Sequence, residues 1–144
     1  MRLFILVQIL VATLTVMVGC SYPLRITLFN NSRSPMTVQM DRNSIPIDLE
    51  KSAEFLYPGP DEGWTLRLHR GACEYVYLVP RELKQLPSVA RPTYQMRGGL
   101  KVQLEPNLQV LVLPATATTT LPIDSVADLQ QFDFPLHPSS TLCR

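Results

Sequence analysis

Two histidines, His69 and His137, are the only imidazoles in this chain of 144 residues that could serve as a general base near neutral pH. A serine hydrolase would set one of them between a serine nucleophile and an orienting acid, yet no serine stands in a G-x-S-x-G setting. His69 alternates with Arg67 on the polar side of a short run, and His137 lies between prolines in the C-terminal tail, so both read as surface residues. Asp61 and Glu62 adjoin in "GPDEG", where Asp serves a turn through local hydrogen bonds, and the pair reads as solvated turn acids. A four-ligand zinc set on Cys73 and Cys143 would need the histidines or an acidic residue at unusual spacing. Met36 and Met40 are soft enough for copper, but both fall on the apolar side of their run and read as core filling. Gly98-Gly99 resembles a hairpin turn more than a phosphate cradle. Trp64, Tyr75 and Tyr77 are the candidate partner surface: facing strands could gather these rings into a patch, the other use of the same rings being core packing. No catalytic, cofactor-binding or metal-ligating set follows, and the chain is expected to be no enzyme.

What must position these residues is β structure. Thirteen prolines and many short alternating runs argue against long helices. "LRITLFN" places Leu24, Ile26 and Leu28 on one face; "MTVQMD" repeats the pattern, and the polar "NSRSP" between them suits a first hairpin. "SIPIDLE" alternates through Ile45, Ile47 and Leu49, and "AEFLYP" runs into the "GPDEG" turn. "WTLRLHR" gathers Trp64, Leu66 and Leu68, and Gly71 reverses the chain into "CEYVYLVP". "TYQMRGGLKVQLEP" reads as a hairpin about Gly98-Gly99, and "LQVLVLP" as a strand covered on both faces. "RELKQLPSVARP" is a helix of two turns at most, stopped by Pro87; another short helix starts at Asp124 or Ser125, after the Thr-rich, extended connection "ATATTTLP". Seven or eight short strands with one or two short helices predict a small antiparallel β-sandwich, a small barrel being second.

The N-terminus has the three parts of an export signal: Arg2, an apolar run from Leu3 to Val18, and a small Gly19. The run is too short for a membrane span and is followed by Ser21, Tyr22 and Pro23 rather than basic residues. Met17-Val18-Gly19-Cys20 resembles the lipobox of bacterial lipoproteins, with Met17 where leucine is usual. The resemblance implies a signal peptide at 1–19 and a diacylglyceryl thioether on Cys20, which becomes the first residue after cleavage. It also implies a lipidated tether at 20–23 and one domain at 24–144. The competing reading is an ordinary signal cut elsewhere, with Cys20 in a disulfide. Ser21 is not the aspartate that in such lipoproteins retains the product in the inner membrane, so the expected address is the periplasmic face of the outer membrane.

Loss of Arg2 with the signal leaves as many basic as acidic residues, twelve of each. A near-neutral domain without a basic cluster is not built for nucleic acid or for polybasic attachment to lipid. Lipidation of Cys20 would leave Cys73 and Cys143 as an even pair in an oxidising compartment, and a bridge between them is expected to pin a tail of little apolar surface. Two functions remain: a non-enzymatic accessory subunit binding an envelope protein through edge strands, loops or aromatic rings, or a module that binds a small ligand or inhibits an enzyme.

Overall fold

The alternation in the sequence becomes nine strands in two stacked sheets, in a computed structural model that describes residues 24–40, 43–57, 64–86, 89 and 99–144. In chain order the strands are β1 (Leu24–Asn30), β2 (Met36–Met40), β3 (Asn43–Ile47), β4 (Ser52–Tyr57), β5 (Thr65–Arg70), β6 (Cys73–Leu78), β7 (Gly99–Leu104), β8 (Val110–Leu113) and β9 (Ser140–Cys143). One sheet runs β4-β1-β7-β8 and the other β3-β2-β5-β6-β9. The all-β expectation holds, with slightly more strands among the described residues than the seven or eight expected.

A period of two sends every second side chain to one face. Leu24, Ile26, Leu28, Phe55, Leu100 and Val102 of the first sheet therefore meet Val38, Leu66, Leu68 and Tyr77 of the second in one buried core. Each such side chain contributes about 1.5–3 kcal/mol by leaving water. The first sheet has a second apolar layer outside it: Phe29, Leu111 and Leu113 face outward and are covered by Ala117 and Val126. This explains why "LQVLVLP" is apolar throughout. Val110 and Val112 face the sandwich core, while Leu111 and Leu113 face the cover. The cover is the Thr-rich connection and the segment after it, which forms two 3-10 turns, Ile123–Ser125 and Ala127–Leu129, where one short helix is expected. Gln103, wholly buried, locks it down: its amide nitrogen donates to the Leu121 carbonyl at 2.7 Å and its amide oxygen accepts from the Leu121 N–H at 2.8 Å.

Several local expectations are corrected. β1 and β2 form no hairpin, because "NSRSP" carries the chain from one sheet to the other; β1 pairs instead with β4 antiparallel and with β7 in parallel. Asn30 holds this crossover. Its buried side-chain nitrogen donates to the carbonyls of Ser34, Ile47 and Asp48, and its oxygen accepts from the N–H and hydroxyl of Ser32. One amide thus satisfies backbone groups in both sheet-to-sheet connections, β1 to β2 and β3 to β4, that would be costly to bury unpaired. Of the Gly98-Gly99 turn, Gly98 lies outside the described residues. Gly99 opens β7 without a positive φ, and the sides of β7 are taken by β1 and β8, leaving no edge along residues 101–104 for a hairpin partner. The reversal at Gly71 is as expected, with φ of 58° in a two-residue turn that pairs Arg70 with Cys73. Leu49, expected inward, lies in the turn after β3 and is exposed. The helix at "RELKQ" is a 3-10 turn, Arg81–Gln85. The tail is better anchored than its composition suggests, since Phe134 and Leu136 are buried and Leu136 bridges to Val110.

Tyr77 provides a pH-sensitive reporter of this core. Burial, and then the neighbouring Tyr75, push its phenol far above the usual range, against a smaller opposing effect of Arg70; its hydroxyl donates to the Leu108 carbonyl at 3.0 Å. The folded state therefore keeps a proton that the unfolded chain releases above the ordinary phenol pKa of about 10. Stability contributed by Tyr77 is fully present below that pH and declines as pH rises through it. Urea titrations across this range should show a falling midpoint, and Tyr77→Phe should flatten the fall while costing about 1 kcal/mol at neutral pH for the lost hydrogen bond.

Candidate functional site

Among the described residues, backbone pairing leaves four sheet edges, and side chains decide which of them another chain could reach. β8 is closed. Its Val112 N–H donates to the Gln130 side-chain oxygen at 3.0 Å and its Val112 carbonyl accepts from the Gln130 nitrogen at 2.9 Å, so one amide imitates a neighbouring strand. Val110 is occupied by Leu136, whose N–H and carbonyl each bond to it at 2.9 Å. β3 carries Pro46, which has no N–H to offer a ladder. β9 is four residues long, has every side chain exposed, and is tied to β6 by the Cys73–Cys143 disulfide across a cross-strand pair with Cα atoms 4.0 Å apart. Short edges, prolines and covered edges are the usual means of discouraging strand addition.

Among the described residues, β4 shows none of these devices. It is six residues long without proline, and among the described residues only β1 pairs with it. Ala53, Phe55 and Tyr57 point inward, while Ser52, Glu54 and Leu56 point out. The edge is rigidly backed, since β1 is held on its other side by β7. An open hollow of about 200 Å³ lies against it, lined by Arg25, Glu54, Phe55 and Leu56, with Arg25 and Glu54 ion-paired across the β1–β4 register. The apolar cavity between the sheets, among residues including Ile26, Phe55, Trp64 and Leu83, is only about 20 Å³, which is room for about one water molecule.

The residues singled out by type are distributed as follows. Cys20, Asp61 and Glu62 lie outside the described residues. Cys73 and Cys143 are bridged, as the cysteine count predicts. Tyr75 and Tyr77 are buried, with the Arg70 guanidinium over the Tyr75 ring at 5.5 Å, so they belong to the core and not to an exposed patch. The reason is register: both share the inward face of β6. Trp64 is half-buried and packs edge-on against Tyr57, ring centroids 5.1 Å apart, and against Phe55 at 6.2 Å. His69 is half-buried on the outer face of β5, opposite Glu74, and His137 is exposed beside Gln109. Met36 is buried in the core; the Met40 side chain lies outside what is described. Among the described residues no three His, Cys, Asp or Glu side chains come together as a metal site.

Residue type gave no warning of the sealing role of Gln130 or of the buried carboxyl of Glu105, which accepts from Asn31 at 3.1 and 3.2 Å and from Gln103. The one sequence cue for the open edge was the proline-free alternation of "SAEFLY" beside the proline in "NSIPI". No family model, curated protein or solved structure matches the chain.

Proposed function

We propose that this chain is a lipoprotein anchored through Cys20 to the periplasmic face of the outer membrane, acting without catalysis as an accessory subunit of an envelope assembly. In this reading an extended segment of a partner protein pairs along β4. The observation that carries it is the unequal treatment of the edges among the described residues: β8 sealed, β3 interrupted by Pro46, β9 short and bridged, β4 left open. Strand addition takes its affinity from main-chain hydrogen bonds and its selectivity from pockets for alternate side chains, and the hollow beside Arg25 and Glu54 offers such a pocket. A lipid tether supports the same reading, because confinement near the membrane raises the effective concentration of a partner there.

The test is a photo-crosslinking residue placed in intact cells at Ser52 or Glu54 of β4, with Ser44 of β3 and Thr141 of β9 as comparison positions. One discrete protein adduct should form from the β4 positions and not from the others, and proline substitutions in the captured segment should remove it. Equal adducts from all four positions, or none from β4, would end the proposal.

A further inference from the structure

We infer that the end of the sandwich where β1 begins rests on the lipid bilayer through Leu56 and Leu78, so that the domain stands end-on to the membrane. The inference rests on the lipoprotein reading above and adds an orientation and a contact to it.

Pairing and packing define this end. Leu24, the first of β1, pairs with Tyr57, the last of β4. Trp64 packs on Tyr57, and its carbonyl accepts from the Val79 N–H at 3.1 Å. Thr65, next to Trp64, pairs with Leu78, the last of β6. The start of β1 and the finish of β4 and β6 therefore meet at one pole. Asn30, Arg33, Glu50 and the disulfide are at or beyond the other ends of the same strands.

At the first pole the two outer faces each end in an exposed leucine. Leu56 lies outward on β4, 50% exposed, and Leu78 lies outward on β6, 62% exposed, the most exposed large apolar side chain among the described residues. Water is a poor neighbour for both. The length of chain preceding β1 says what covers them. Cys20 is four positions before Leu24, and at full extension four residues reach at most about 14 Å. Acyl chains on Cys20 thus hold this pole, and not the opposite one, close to the headgroups. A contact of two leucines too weak to recruit a free protein is populated when the tether holds it there.

Trp64 is the only tryptophan in the chain and stands at this pole, so its emission reports the contact directly. The full lipidated protein would be purified from membranes and reconstituted into phosphatidylcholine vesicles with and without lipid bearing a headgroup nitroxide. Headgroup nitroxide should reduce Trp64 emission by roughly twofold, and the double variant Leu56→Glu with Leu78→Glu should restore most of it. Both side chains are exposed, so the charges leave the fold intact, which retention of the thermal midpoint checks. Leu49→Glu, in the turn between β3 and β4 at the other pole, should change nothing. Protein that carries lipid and floats with the vesicles but whose emission ignores the nitroxide, or whose double variant is quenched like the parent, overturns the end-on contact alone. Protein without lipid on Cys20 overturns the contact and the anchor together.

Discussion

Replacing Cys20 by alanine is expected to abolish acyl labelling of this protein completely. Each buried methylene of an anchor contributes about 0.8 kcal/mol, and two or three chains hold a domain to a bilayer essentially without release, whereas a single short chain binds reversibly. No other side chain near the cleavage point can form the thioether: the neighbours are Gly19, Ser21 and Tyr22. Fractionation alone is the wrong measurement, because an uncleaved variant keeps the apolar run from Leu3 to Val18 and stays in the membrane through it. The informative readouts are incorporation of an alkyne-bearing fatty acid and the mass of the N-terminal peptide. Labelling that survives in Cys20→Ala would mean that the chain is modified elsewhere, and the anchor, the outer-membrane address and the end-on contact would all be withdrawn.

The second large effect is the disulfide. Cys73 and Cys143 are separated by 70 positions, and constraining the unfolded chain over a loop of that length is worth about 4 kcal/mol in the chain-entropy account. Against this stands the character of β9, whose side chains are all exposed, so its ladder with β6 can fray once the bridge is gone. Fraying relieves the native state of a strand that buries little and returns part of the loss. The expected cost of Cys73→Ser with Cys143→Ser is therefore about 3 kcal/mol, a fall in thermal midpoint of roughly 10 °C. Phe134 and Leu136 limit the damage, since they hold the tail in the core upstream of β9. Hydrogen exchange should locate the change: amides of Ser140–Cys143 lose protection while those of β1 and β7 keep it relative to global unfolding. A midpoint that does not move would mean that the bridge constrains only the tail.

Parts of this architecture are legible residue by residue. Leu24, Ile26 and Leu28 are assigned to the core by alternation alone, as are Leu66 and Leu68, because side-chain direction in a strand is a local property of the backbone. The Gly71 turn is equally local, since positive φ is what glycine permits. Pairing partners are another matter. "NSRSP" has the composition of a hairpin loop and serves a sheet-to-sheet crossover, because Asn30 finds its hydrogen-bond partners in the β3–β4 connection, 17 and 18 positions away. The Tyr75 and Tyr77 rings were legible as large and amphipathic, with core packing and a partner surface both open to them. Which face of β6 is buried depends on the sheet packed against it.

Alone, then, the sequence determined the all-β class and the alternating core of strands such as β1 and β5, and it carried the lipobox resemblance, because period and local motif need no knowledge of distant neighbours. The tertiary structure alone decided that β1 lies parallel to β7, that Gln130 seals β8, that among the described residues β4 is left as the open edge, and that Leu56 and Leu78 share the pole where β1 begins. An edge or a pole is a relation between segments far apart in the chain, set by which long loops can close and which faces find cover.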